Sequence, residues 1–184
     1  MFMVGVLLIL AGGLAIVAAV FGSEGSATLL DRDLNALTIF LLGLGSGVAV
    51  WWTLPAEVLA EAGLSASELP GAAHAAEHCS IGLLPLFATC DRWDIGGVST
   101  AHHPDTGRLT VFVYDGHPGG AGFAERGFRV AGDWLAATRA SIAACECLDG
   151  CPSCIQSPKC GNQNHPLDKP GALRLLDALL ASRP

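Results

Sequence analysis

Two runs of uninterrupted apolar character open the chain. Met1 to Ser23 carries no charged side chain, and neither does Leu34 to Pro55. Each is long enough to cross a hydrocarbon layer of about 30 Å as a helix. The link between them is short and polar, with Glu24, Asp31, Arg32 and Asp33. The pattern therefore predicts a two-helix transmembrane hairpin over residues 1–50. The first run lacks the basic leader of a signal peptide, and a hairpin buried in a soluble core is the competing reading. Trp51-Trp52-Thr53-Leu54-Pro55 suits two roles equally. It is either the interfacial end of the second helix, where tryptophan is favoured, or a short strand that opens the C-terminal domain.

Over residues 51–184 the pattern is that of a folded domain. Pro55 to Leu69 is polar and Ala-rich and reads as a helix stopped by Pro70-Gly71. Ala72 to Thr89 is more apolar, a largely buried helix carrying His74, Glu77 and His78. Asp91 to Thr100, broken at Gly96-Gly97, reads as a bent strand. His103-Pro104-Asp105-Thr106-Gly107 reads as a hairpin turn. Leu109 to Tyr114 is rich in β-branched and aromatic residues and reads as a central strand. A glycine-rich turn, Asp115 to Gly122, leads into a mostly helical stretch from Phe123 to Ala144. Lys169 to Ala181 closes the chain as an amphipathic helix with Leu173, Leu176 and Leu180 on one face. The predicted class is α+β, a small mixed sheet covered by helices.

Composition narrows the function. Apolar residues make up 51% and charged ones 15% of the chain, which excludes a disordered segment. Residues 51–184 hold nine Lys/Arg against fourteen Asp/Glu, without the clustered cations that a phosphate backbone attracts. Arg126, Arg129 and Arg139 could line one side of a helix, but solvated charges are the favoured reading. A hairpin puts both its ends on one side of the membrane, and clustered free thiols favour a reducing compartment. The expected location is cytoplasmic, membrane-anchored through residues 1–50.

The chemistry gathers in the cysteines. Five of the seven, Cys145, Cys147, Cys151, Cys154 and Cys160, fall within sixteen residues. Cys151 and Cys154 have the CxxC spacing that aims two sulfurs at one point, with Gly150 and Pro152 supplying turn chemistry. Four thiolates around one Zn²⁺ make a closed structural site. An iron–sulfur cluster also uses four cysteines, so spacing alone leaves it open, but zinc is the preferred ion. Cys79 and Cys90 have no cysteine at ligand spacing and read as small buried hydrophobes.

Four segments, AVWWTLP, HAAEHCSIGLLPLFATCDRWDIGGVST, VFVYDGHPGGAGFAERGF and CECLDGCPSCIQSPKCGNQNHPLDKPGALRLL, carry a family resemblance. Residues from about Trp51 to the end resemble the C-terminal zinc-binding domain of mitomycin-repair (MrfA-type) DEAD/DEAH-box helicases, whereas residues 1–50 do not match. The resemblance implies a mixed α/β accessory domain beside a DNA-unwinding motor. It carries over to Cys145, Cys147, Cys151, Cys154 and Cys160 as the cysteine set, of which four suffice for one ion. The expected partners are DNA or a helicase motor supplied by another chain, with no nucleotide. No G-x-x-x-x-G-K-[ST] run and no Asp-Glu-x-His tetrad occurs in the chain. The expectation is thus a non-catalytic zinc module.

Two further motifs compete. His74-Ala75-Ala76-Glu77-His78 matches the inverted zinc-peptidase pattern H-x-x-E-H, with both histidines on one helix face and Glu77 as general base. No downstream Glu-rich helix supplies a third ligand, so a metallopeptidase ranks second, and a membrane-anchored scaffold recruiting a partner through the knuckle third. The loop Asp115 to Gly122 follows a strand and opens a helix, where backbone amides can meet a phosphate. Tight strand-to-helix packing is the favoured role there. His102, His103 and His117 read as surface turn residues.

Overall fold

The computed structural model describes residues 3–8, 48–104 and 106–182. Among these described residues four strands form one sheet in the order β1-β2-β4-β3: β1 Met3–Leu8, β2 Val48–Leu54, β3 Ile95–Thr100 and β4 Leu109–Asp115. Every pairing is antiparallel, with Val50 opposite both Val6 and Val113. The expected mixed sheet is therefore antiparallel throughout.

This sheet overturns the transmembrane hairpin. The described parts of the two apolar runs, Met3–Leu8 and Val48–Leu54, pair with each other as strands. Among the described residues no helix is long and apolar enough to cross a membrane. Membrane anchoring through residues 1–50, and the location inferred from it, lose their support. The remainder of both runs, residues 9–47, lies outside the described residues. The misreading has a physical cause. All seven residues of β2 are buried, so its run shows no polar alternation, and a strand covered on both faces reads as continuously apolar. Val48, Val50, Trp52 and Leu54 face the main core with Leu109, Val111 and Val113 of β4. Trp51, Phe112 and Val98 form one cross-strand row on the opposite face.

Helices cover the core face. They are α1 Ala56–Glu61, α2 Leu69–Leu83, α3 Pro85–Ala88, α4 Phe123–Arg129, α5 Ala131–Ala144 and α6 Lys169–Ala181. The central one is α2, buried at every position from Gly71 to Ile81 and packed against α5, α6, β3 and β4. Its alanines at 72, 73, 75 and 76 leave no side-chain bulk to hold neighbours away. Pro70, expected to stop a helix, instead lies in the first turn of α2, where its missing N–H costs nothing. At Gly71 an added Cβ would come within 3.2 Å of the Asp168 backbone nitrogen. That nitrogen donates to the Gly71 carbonyl at 3.1 Å, docking the segment before α6 onto the start of α2.

Candidate metal centre

The knuckle begins where α5 ends. Cys145 leaves the helix in an extended conformation, and the chain turns back at Gly150, whose φ of +108 suits glycine and where an added Cβ would strike the Ile155 side chain. The CxxC turn beyond it is closed on the Cys151 carbonyl, which accepts from the backbone nitrogens of Cys154 and Ile155 at 3.0 and 3.2 Å. Ile155 is fully buried and pins the loop to the core.

This path brings together four of the five predicted cysteines. The sulfurs of Cys145 and Cys147, Cys145 and Cys151, and Cys147 and Cys154 are each 3.5 Å apart, and those of Cys151 and Cys154 are 3.8 Å apart. A regular tetrahedron with metal–sulfur bonds of about 2.3 Å has edges of about 3.8 Å. The spacing is too long for a disulfide, whose S–S bond is about 2.05 Å, and every one of these cysteines is free. The donors therefore fit a single tetrahedral Zn²⁺.

Electrostatics point the same way. The Ser153 backbone amide, and then the Cys145 sulfur, push the Cys151 thiol down to about 7, whereas burial pushes Cys154 up to about 12. Thiols this close resist ionising together, and a divalent cation removes that penalty. The Cys151 backbone nitrogen donates to the Cys154 sulfur at 3.3 Å. Beneath the site the buried ammonium of Lys169 donates to the carbonyls of Cys145 and Cys147 and approaches the Cys147 sulfur at 3.4 Å. Sequence reasoning placed Lys169 only as the first residue of a helix, and no spacing signals its return to the knuckle.

Cys160 is not in that cluster. It lies with His74 and His78 in a second group whose donor atoms are within 4.8 Å of one another. The rings of His74 and His78 are 4.2 Å apart between centroids. Glu77, between them in sequence, turns toward β3. Burial pushes its carboxyl up to about 7, opposed by a hydrogen bond from Ser99. Burial pushes His78 down to about 4, against the pull of the Ile155 carbonyl. A cavity of about 620 Å³ opens beside this group, lined by His74, Glu77, His78, Tyr114, Lys159 and Cys160.

The other candidates resolve into packing. Asp115 is buried, and its carboxylate accepts from the backbone nitrogens of Ala121, Gly122, Phe123 and Ala124 at 2.6 to 3.2 Å. The amides at the start of α4 are thus taken by the protein's own carboxylate. Arg129 pairs with Glu125, Arg139 forks onto Asp177, and Arg126 donates to the Phe87 carbonyl. Cys79 is buried, its thiol raised to about 11 by desolvation, and Cys90 is half-buried. His117 is exposed and pairs with Asp94, but His103 is buried against the Phe112 ring rather than on the surface.

Known proteins resemble this chain in sequence and fold. The family model described as "MrfA Zn-binding domain" matches residues 76–155, a span that contains all four clustered cysteines. An uncharacterized protein of Methanocaldococcus jannaschii is 40% identical over 111 residues, 59% of this chain and 99% of that protein. This chain belongs to the MrfA zinc-binding domain family. The ATP-dependent helicase YprA of Bacillus subtilis is 44% identical over 73 residues, which are 40% of this chain and 10% of the helicase. A crystal structure of the helicase MrfA bound to DNA matches with a TM-score of 0.59 at 31% identity, covering 73% of this chain and 17% of that one. The chain thus corresponds to a small part of these helicases, their MrfA-type zinc-binding domain, and the expected zinc cofactor is the one this family carries.

Proposed function

We propose that this MrfA-type domain is a non-catalytic accessory module in which Cys145, Cys147, Cys151 and Cys154 hold one Zn²⁺, and that it works beside a DNA-unwinding motor absent from these 184 residues. The observation that carries the reading is the set of four sulfurs at the edge length of a zinc tetrahedron. Cys160, the fifth cysteine of the sequence motif, is left out of this ligand set because its sulfur faces His74 instead. The similarity to a helicase solved on DNA supports the partnership with a motor. The acidic balance of the chain, net −7, favours DNA contacts made by that motor rather than by this module. The knuckle then acts as a metal-fixed corner between α5 and α6.

The test is metal content with paired variants of the full chain. Structural zinc sites bind with about 10–16 kcal/mol of apparent free energy, comparable to the stability of a domain. Cys151→Ser, or the stricter Cys151/Cys154 double replacement, is expected to lose one zinc equivalent and to melt far earlier. Cys79→Ser is expected to keep its zinc and to cost about 1–3 kcal/mol. Equal melting shifts with zinc unchanged in the double variant would overturn the assignment. DNA-stimulated ATP hydrolysis that follows the purified chain through gel filtration would overturn the non-catalytic role.

A further inference from the structure

We propose that His74, His78 and Cys160 form a second metal site, separate from the knuckle, that takes Zn²⁺ or a similar divalent ion and leaves its fourth position to water in the adjoining cavity. The donors come from two distant parts of the chain. His74 and His78 are one turn apart on α2, so both rings leave the same face of a helix that packing holds fixed. Cys160 reaches them from the loop beyond the knuckle, its sulfur 3.3 Å from His74 Nε2. An N–S edge of a tetrahedral zinc site is about 3.5 Å, given metal–ligand bonds of about 2.0 and 2.3 Å.

The orientation of both imidazoles is set in the way metal ligands require. His74 Nδ1 lies 2.8 Å from the Pro166 carbonyl, and His78 Nδ1 lies 2.8 Å from the Ile155 carbonyl. A carbonyl only accepts, so each Nδ1 carries the hydrogen and each Nε2 presents its lone pair to the cluster. Backbone carbonyls holding Nδ1–H are the usual outer partners of metal-bound histidine. The sulfur is prepared likewise. The Asn164 backbone nitrogen donates to Cys160 Sγ at 3.2 Å, which fixes the position of the sulfur. Asn164 also holds its loop by pairing its side-chain amide with both backbone groups of Ser157, at 2.8 and 3.2 Å.

A plain hydrogen-bonded packing explains less. One S–H hydrogen serves one of the two imidazole lone pairs at a time, whereas a cation satisfies both together with the thiolate. Three protein donors beside a cavity of about 620 Å³ match the coordination that leaves one position for an exogenous oxygen donor. Glu77, Tyr114 and Lys159 also line this cavity. The family match spans residues 76–155, so His74 and Cys160 fall outside it. The third ligand of the H-x-x-E-H run is thus a cysteine, in a loop far along the chain, in place of a downstream glutamate.

Metal content and Co²⁺ spectroscopy of the full chain test this, with the knuckle as internal control. The parent is expected to hold two zinc ions per chain. Cys160→Ser and His78→Asn should each lose one while retaining the far-ultraviolet dichroism of the parent and the knuckle's zinc. His78→Asn is the discriminating variant, since its amide can still donate to the Ile155 carbonyl while the Nε2 ligand is gone. In the Co²⁺ form, azide should shift only those visible bands that His78→Asn removes. Parent protein with a single zinc that survives His78→Asn overturns the proposal, as does a second zinc that persists without His74, His78 and Cys160. In a parent that holds a single zinc, loss of that ion in His78→Asn and its retention in the Cys151/Cys154 double variant would support this site and sink the knuckle assignment instead.

Discussion

Lys169 is a buried ammonium beneath a cluster of thiols, satisfied by the carbonyls of Cys145 and Cys147. Four thiolates around Zn²⁺ leave a residual charge of about −2, so the cation beneath them also lowers the electrostatic cost of the site. Lys169→Met keeps the apolar stem but leaves two carbonyls without their donor, at about 1–3 kcal/mol for each group. The expected outcome is a loss of about 2–6 kcal/mol in denaturant titration, together with faster zinc release to a chelator. Release at the parental rate would mean that the ammonium has no part in holding the metal. Neither this contact nor the fate of Cys160 was legible locally. Cys160 follows the CxxC pair by only a few residues, yet its loop carries the sulfur to a histidine 86 positions away.

At the scale of elements, the closing helix shows how far periodicity reaches. Its existence and span, Lys169–Ala181, follow from the sequence, and Asp168 caps it by accepting from the Gly171 nitrogen at 2.8 Å. Its buried face shares only Leu176 with the expected one. Ala172, Leu175, Leu176 and Leu179 are fully buried, while Leu173 and Leu180 are partly exposed. The helix packs against both α2 and α5, and a helix wedged between two neighbours buries a sector that no single stripe marks. Leu175→Ala is expected to cost about 2–5 kcal/mol, and Leu173→Ala a fraction of that. Thermal melts of the two variants side by side decide it, and the reverse order would refute the packing. Helix α2 is the extreme case, since its small residues let four elements close on it.

Across the whole molecule, the sheet is what joins the first residues to the domain. Strand β2 has β1 on one side and β4 on the other, so its amides are distributed between two partners. Hydrogen exchange should find Val48–Leu54 among the slowest segments and the edge strand β3 faster. Deleting residues 1–8 should release about half of the β2 amides, those bonded toward β1, and leave the rest protected by β4. Unchanged protection along all of β2 after the deletion would show that the β1–β2 pairing is not formed.

The amino-acid sequence by itself determined the elements whose signals are local. The strand from Leu109, the helix after Phe123, the closing helix and the concentration of thiols after α5 are all readable from periodicity and spacing, and the quoted segments carried the family. Three things waited for tertiary structure. An apolar run has the same composition in a bilayer and in a strand covered on both faces, so only the pairing of β1 with β2 and β4 excluded the hairpin for the described residues. Five cysteines in one stretch say nothing about where each sulfur points. The turn at Gly150 and the Asn164 clamp divided them into a four-sulfur cluster and a thiol facing two histidines. His74 and His78 lay on one helix face from the start, but their third donor comes from a loop beyond the knuckle. Docking of residues 155–168 onto α2, through Ile155, Pro166 and Asp168, brought it there, because contacts between distant segments depend on the packed core rather than on any local pattern.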